Sequence, residues 1–266
     1  CYLNEYSNVH RGLHFLSNLA TENFEAVREK ARKFLGASFE KEIIFTSGST
    51  EGLNLISYSW ANEHLDEGDE IILTTLEHHA NIVPWHFLRQ RKKVTLTWVN
   101  PDEHGNISLS QIKEKITKNT KMVCFTHMSN VFGSVLNARE ICKFLRSRGI
   151  VSVVDGSQAA AHFNIDVRDI DCDFYVITGH KIFGPTGTGI LYIKDDRLGE
   201  MIPFNGGGAM IKSVTKENVL YNGSPHIFEA GTPNIAEIIG LGSAFDFIES
   251  LDQKAVQEYE IKLSDY

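Results

Sequence analysis

The sequence contains no apolar run long enough to cross a bilayer, since a membrane-spanning helix needs about 20 consecutive apolar residues. It shows no signal peptide either, which indicates a cytoplasmic protein. Basic residues are not in excess: 26 Lys and Arg stand against 34 Asp and Glu, so the formal net charge is −8. This balance excludes a general electrostatic affinity for nucleic acid or an anionic membrane.

Cysteine is also scarce, with four residues among 266 and no Cys-x-x-Cys spacing. This number excludes a disulfide-rich scaffold. Cys124 falls in a predicted strand, Cys142 in an amphipathic helix and Cys172 beside the start of another strand. We therefore expect these three to be buried, reduced thiols.

Short apolar segments alternate with helical patterns along most of the chain. Seven strands are predicted, at residues 43–46, 71–75, 94–99, 121–126, 150–154, 174–177 and 189–193. Helices are predicted at residues 19–35, 50–62, 80–91, 108–116, 138–148 and 236–251. This alternation predicts a three-layer α/β/α fold with a mostly parallel seven-stranded sheet.

An aspartate and a lysine follow two of these strands directly. Asp155 comes at the end of the strand at 150–154, and Lys181 lies in a Gly- and Pro-rich segment after the strand at 174–177. Open α/β sheets bind ligands at the carboxyl ends of their strands. Pyridoxal phosphate (PLP) needs an amine for its aldehyde and an anion for its pyridine nitrogen. The alternative is a surface lysine and a helix-capping aspartate.

Two further strand ends carry groups that suit the same cofactor. Ser49 and Thr50, in the loop at 46–52, offer hydroxyls and backbone N–H groups for a phosphate, although plain helix capping explains them equally well. His78 and the adjacent His79 follow the second strand; an imidazole can stack on a pyridine ring and transfer protons. A metal site is disfavoured there, because the spacing lacks HExxH and no ligand cluster is near.

The fourth strand, at residues 121–126, is followed by Asn130, whose amide could bind the phenolic oxygen of the cofactor or a substrate carboxylate. Asn is also a common turn residue, so this position alone indicates little. The argument for PLP is the convergence of four strand ends, since a phosphate cradle, an imidazole, an anion with an amide and a lysine are the parts that such a site needs.

Several motifs together resemble group II cysteine desulfurases, a branch of the fold-type I PLP enzymes that includes selenocysteine lyase-like proteins. The matching stretches cover nearly the whole chain: residues 8–12 (NVHRG), 77–85 (EHHANIVPW), 126–131 (THMSNV), 154–158 (VDGSQ), 171–175 (DCDFY), 179–187 (GHKIFGPTG) and 228–234 (FEAGTPN). The resemblance implies a PLP-binding large domain at residues 18–250, preceded by a segment at 1–17. Residues 251–266 would form a helix leading towards a C-terminal small domain that is missing here.

The resemblance also implies roles for individual residues around the cofactor ring. Lys181 would bind the cofactor covalently, and Asp155 would pair with the pyridinium nitrogen. Gln158 would bind the phenolic oxygen, and His78 would stack on the ring.

The phosphate group has its own set of residues by the same resemblance. Thr50, Thr178 and His180 would hold it, with Thr178 standing where the family more often has Ser. Thr232 resembles a residue lent to the phosphate site of the neighbouring subunit, which implies a homodimer.

The activity implied is desulfuration of L-cysteine to L-alanine, with sulfur passed to a cysteine persulfide for iron–sulfur cluster assembly and then to an acceptor protein. The nucleophilic cysteine of the family has no counterpart among the four cysteines here, so we expect it to lie outside this chain, which would be incomplete for turnover. Two alternatives stay open: a selenocysteine lyase, which acts on L-selenocysteine, and a non-catalytic PLP-binding remnant.

Overall fold

A seven-stranded sheet runs through the centre of the protein in the computed structural model, which describes residues 1–3 and 5–266. The strands are β1 (Ile43–Thr46), β2 (Glu70–Thr74), β3 (Thr95–Val99), β4 (Thr120–Thr126), β5 (Val151–Asp155), β6 (Phe174–Thr178) and β7 (Gly189–Ile193). Their order across the sheet is β1-β7-β6-β5-β4-β2-β3. The predicted seven-stranded α/β fold is therefore confirmed.

Strand direction places six strand ends on one edge of the sheet. Strands β3, β2, β4, β5 and β6 pair in parallel, whereas β7 runs antiparallel to both β6 and β1. Only β7 is therefore reversed. The loops that follow the other six strands all leave from the same side, which we call the carboxyl edge.

Helices cover both faces of the sheet, and each face has its own apolar cluster. The longer helices are α1 (Phe15–Phe34), α4 (Val83–Lys92), α5 (Leu109–Lys115), α6 (Ala138–Ser147), α10 (Ile235–Glu249) and α11 (Gln253–Asp265). A continuous helical stretch comprises α2 (Ser49–Leu55), a π-helical turn (Ile56–Ala61) and α3 (Asn62–His64). That stretch and α4 cover one face, while α1, α5, α6 and α10 cover the other.

Several short elements were not predicted from the sequence. They are the helices α7 (Ala159–His162), α8 (Val167–Ile170) and α9 (Asp195–Leu198), and a hairpin formed by β8 (Ile211–Val214) and β9 (Val219–Tyr221). Each is too short to show a clear periodicity in sequence. No helix in the described ranges is long and apolar enough to cross a membrane.

The first helix begins at Phe15, earlier than the predicted residue 19 and within the N-terminal segment predicted at 1–17. Its start is set by His14, whose Nδ1 accepts a hydrogen bond from the backbone N–H of Ser17 at 3.3 Å. Histidine is not a common capping residue, so this helix start could not be recognised from the sequence. The predicted division at 1–17, 18–250 and 251–266 stays a prediction.

The predicted state of three cysteines is confirmed. Cys124, Cys142 and Cys172 are buried free thiols, whereas Cys1 is exposed. Burial raises the pKa of all three buried thiols above the usual value. None of the three is therefore ready to act as a thiolate.

Candidate cofactor site at the carboxyl edge of the sheet

The register of two neighbouring strands brings Asp155 and the segment before Lys181 together. Asp155, the last residue of β5, pairs with Val176 of β6. Alternate residues of a strand share a face, so Thr178 lies on the same face of the sheet as Asp155. Lys181 follows in the turn Gly179–Lys181. The two residues predicted to hold the cofactor ring thus lie at adjacent strand exits on one edge.

Two glycines bring the loop after β1 towards the same place. Thr46 and Thr178 both pair with Gly189, which starts the reversed strand β7 between them. A Cβ atom at Gly189 would lie 2.5 Å from the Cα of Gly48, so a side chain there would push the loop away. Because both positions are glycine, the loop can cross β7. The crossing brings the loop next to Thr178, since a Cβ at Gly48 would lie 3.4 Å from Oγ1 of Thr178.

Beyond this crossing, a chain of hydroxyls connects the loop with the buried Asp155. Oγ of Ser49 lies 2.5 Å from Oγ of Ser157. Ser157 in turn donates to Oδ1 of Asp155 from its hydroxyl at 2.6 Å and from its backbone N–H at 3.0 Å. All three residues are at most 7 % exposed. We call this chain the hydroxyl relay. Ser49 thus directs its hydroxyl to Ser157, whereas Thr50 is exposed, and the role of this loop towards a phosphate stays a prediction.

Lys181 is half-buried, and none of the carboxylates in the described part of the chain lies within 4.0 Å of its amine. Lysines seldom lose solvent without gaining a partner. The neighbouring His180 is exposed, and its Nδ1 lies 3.1 Å from Oγ1 of the buried Thr178. The turn therefore presents an amine, an imidazole and a hydroxyl close together.

His78 is exposed at the exit of β2, where its Nδ1 accepts a hydrogen bond from the backbone N–H of Ala80 at 3.2 Å. This contact leaves Nε2 as the protonated nitrogen of the neutral ring. His79 is also exposed. An exposed imidazole at this edge can stack on a ligand that lies across the strand ends.

The carboxyl group of Glu77, next to His78, is a feature that sequence reasoning did not single out. It accepts hydrogen bonds from Oγ1 of Thr74 at 2.5 Å, Nδ2 of Asn81 at 2.7 Å and the backbone N–H of Thr126 at 2.8 Å. Burial raises the pKa of Glu77 to about 8 against these donors, and the negative charge of Asp155 adds to the increase. Glu77 thus links the exits of β2 and β4 beside the site.

The half-buried His127 and the buried Tyr175 form a pair behind Asp155. Nδ1 of His127 lies 2.9 Å from the hydroxyl of Tyr175, and the backbone N–H of His127 donates to the carbonyl of Asp155 at 2.9 Å. Burial lowers the pKa of His127 to about 4 and raises that of Tyr175. Both groups are therefore neutral at pH 7. Only Gly fits at position 156, because a Cβ there would lie 2.0 Å from the Tyr175 ring.

The other predicted site residues lie around this centre. Asn130 is exposed in the turn after β4, and Gln158 is half-buried immediately before α7. Thr232 is exposed and, with Ser47 and Glu51, lines a cavity of about 230 Å³ beside the loop after β1. Their roles towards a cofactor stay predictions.

Comparisons with known proteins agree with the motifs. A cysteine desulfurase from Wigglesworthia glossinidia brevipalpis is 45% identical over 98% of this chain and 64% of its own length. A probable cysteine desulfurase from Mycobacterium leprae is 43% identical over 100% of this chain and 43% of its own length. The chain thus spans less than two thirds of the length of these curated relatives.

Solved structures show the same relationship. The apo cysteine desulfurase of Thermococcus onnurineus NA1 is similar with a TM-score of 0.95 and 35% identity, covering 99% of this chain and 66% of that one. The cysteine desulfurase CsdA of Escherichia coli gives a TM-score of 0.86 and 37% identity, covering 93% and 62%. The predicted resemblance to cysteine desulfurases is therefore confirmed. The sequence model of the family described as aminotransferase class-V matches residues 1–266, and this chain belongs to that family.

Proposed function

We propose that this chain is the PLP-binding domain of a cysteine desulfurase, and the observation that carries the proposal is the half-satisfied carboxylate of Asp155. Oδ1 of Asp155 accepts two hydrogen bonds, whereas no donor in the described residues contacts Oδ2. Oδ2 is not fully enclosed by the described residues, so it is open to a partner from outside the chain. The protonated pyridine nitrogen of PLP supplies the missing partner, and Lys181 at the neighbouring strand exit supplies an amine without an ionic partner.

The residues present fit the cofactor at each of its polar groups. Lys181 would hold it covalently and Asp155 would bind its ring nitrogen. His78 would cover one ring face, while Gln158 and Asn130 would bind the phenolic oxygen or a substrate carboxylate. Its phosphate would be held by hydroxyl and imidazole groups, those of Thr50, Thr178 and His180. When bound, PLP supplies an electron-poor ring that stabilises negative charge on the substrate Cα.

The residues of this chain then have defined tasks in the proposed conversion of L-cysteine to L-alanine. Once the substrate has replaced it on the cofactor, Lys181 would remove the Cα proton of the substrate and later return a proton. An amine without an ionic partner can act as such a base. The negative charge of Asp155 would keep the ring nitrogen protonated. His78, protonated on Nε2, can donate to a substrate atom beside the ring.

Sulfur transfer requires a thiolate that attacks the substrate sulfur, forming a persulfide as the C–S bond breaks. Cys124, Cys142 and Cys172 are buried and have raised pKa values, so they are poor candidates. Cys1 is exposed, but by the resemblance it has no counterpart in the family's nucleophile, so we propose that the nucleophilic cysteine lies outside these 266 residues. The persulfide sulfur would pass to an acceptor protein for iron–sulfur cluster assembly.

The burial of Cys124, Cys142 and Cys172 favours a second candidate, selenocysteine lyase. Cleavage of the weaker carbon–selenium bond can proceed without a cysteine nucleophile. A third reading, a non-catalytic PLP-binding remnant, is an outcome of the test below. Reduced thiols in the interior suit the cytoplasm in each case.

A homodimer is also part of the proposal. Leu13 and Phe15 are large apolar residues that are 103% and 77% exposed, and such residues commonly mark an interface. Thr232, exposed beside the cavity after β1, would reach the phosphate of the partner subunit. Light scattering after size-exclusion chromatography tests this, and a mass of 29.9 kDa would contradict it.

The proposed function is tested with an added thiol, dithiothreitol, in place of the nucleophilic cysteine. The chain is loaded with PLP and given L-cysteine with and without dithiothreitol, and alanine and sulfide are measured. We expect equal amounts of alanine and sulfide only with dithiothreitol, because that thiol can accept the sulfur and then release it. Alanine from L-selenocysteine alone would favour the lyase. Bound PLP without alanine from either substrate would indicate the remnant, and no PLP binding would refute the proposal.

A further inference from the structure

The protons of the hydroxyl relay can be assigned from the contacts alone. The carboxylate of Asp155 has no proton to donate, so Ser157 must donate its single hydroxyl proton to Oδ1 at 2.6 Å. The contact of 2.5 Å between the two serine hydroxyls then requires that Ser49 donates to Ser157. The relay therefore has one direction, from the loop after β1 towards the carboxylate.

This direction makes the two oxygens of Asp155 unequal. Oδ1 receives the hydroxyl and the backbone N–H of Ser157, which fixes the plane of the carboxylate. Oδ2 receives no donor from the residues that the structure describes. A hydroxyl that itself accepts a hydrogen bond polarises towards its acceptor, so Ser49 strengthens the contact between Ser157 and Oδ1.

We propose that Ser157, supported by Ser49, is a positioning residue that fixes one oxygen of Asp155 and directs the other to the nitrogen of the bound cofactor ring. This inference rests on the proposed function, since it requires PLP as the ligand. Neither serine touches the reacting atoms. Their effect acts through Asp155 and depends on the ring nitrogen.

The test measures the dissociation constant of PLP for the wild-type chain and for Ser157→Ala, with each apo protein first checked by circular dichroism. Each is also titrated with an analogue of PLP in which C–H replaces the pyridine nitrogen. The matched control is Ser152→Ala. Ser152 lies on β5, the strand that ends at Asp155, and its buried hydroxyl donates to Oδ2 of Asp173 at 3.0 Å, away from the site.

We expect Ser157→Ala to weaken PLP binding about tenfold, the usual effect of losing a hydrogen bond to a charged group. Binding of the analogue should change less than about twofold, because its ring has no nitrogen for Oδ2 to bind. Ser152→Ala should bind both ligands as the wild type does. If Ser157→Ala fails to fold, Ser49→Ala is measured in its place. We expect Ser49→Ala to weaken PLP binding about threefold and to leave binding of the analogue unchanged.

Three results would overturn the inference, and they separate it from the proposed function. If the wild type binds PLP and the serine variants bind it equally well, the positioning role is wrong while the function stands. If a variant loses the same affinity for PLP and for the analogue, the effect is structural and the role is again wrong. If the wild type itself binds no PLP, the proposed function fails and this inference fails with it.

Discussion

The buried carboxyl group of Glu77 makes the stability of the protein depend on pH in a way that can be calculated. Its pKa is about 8 in the folded protein, against an ordinary value of 4.5. Between these values the folded state holds a proton that the unfolded state has released, so stability is fully present below pH 4.5 and falls as the pH rises. Over the whole window the loss amounts to about 4 kcal/mol.

The assay is urea unfolding of the chain without added cofactor at pH 5 and at pH 8. Glu77→Gln has no titratable group at this position. The loss of unfolding free energy between pH 5 and pH 8 should therefore be smaller in the variant than in the wild type, and the difference should be about 3 kcal/mol. The cost of the substitution itself is compared at pH 5 with that of Glu70→Gln. Glu70 is a buried carboxylate at the other end of β2 that accepts hydrogen bonds from Thr97, Thr117 and Thr120.

An equal pH dependence in Glu77→Gln and the wild type would refute the reasoning. It would mean that the three donors around Glu77 outweigh burial and that the carboxyl group is ionised throughout. The measurement therefore decides whether Asp155 is the only buried negative charge at this point of the carboxyl edge.

Further predictions concern the site and the core. Asp155→Asn should weaken PLP binding at least about tenfold in a fluorescence titration, because the negative charge beside the ring nitrogen is lost, and unchanged affinity would contradict the assignment. Lys181→Ala should abolish the visible absorbance of PLP bound to lysine while the far-ultraviolet circular dichroism stays the same. Arg28→Met should lower the free energy of unfolding by about 3–5 kcal/mol, since it leaves the carboxylate of Glu229, 2.7 Å from Nη1 of Arg28, without its partner; a loss below about 1 kcal/mol in urea would contradict this.

Most of the seven strands could be predicted because they are short apolar runs buried on both faces, whereas β3 is only partly buried. The predicted ranges 43–46 and 189–193 match β1 and β7, and the other five differ from the structure by one residue at one or both ends. The alternation of strands and helices then placed Asp155 and Lys181 at one edge, since parallel strands end on the same side.

Other features depend on contacts between distant residues and left no local signal. The relay joins Ser49 to Ser157 across 108 positions, and the crossing of Gly48 over Gly189 is needed to form it. The raised pKa of Glu77 results from burial between two strand exits, which composition does not show. The hairpin of β8 and β9 has largely exposed residues and therefore lacks the alternation of a half-buried strand.

The most direct test of the account is chemical mapping of the lysine that binds the cofactor. The chain is incubated with PLP and reduced with borohydride, and the peptides are examined by mass spectrometry. We predict one pyridoxyl adduct, on Lys181, that is absent from Lys181→Ala. An adduct on a different lysine, or no adduct at all, would contradict the assignment of Asp155 and Lys181 to one cofactor site.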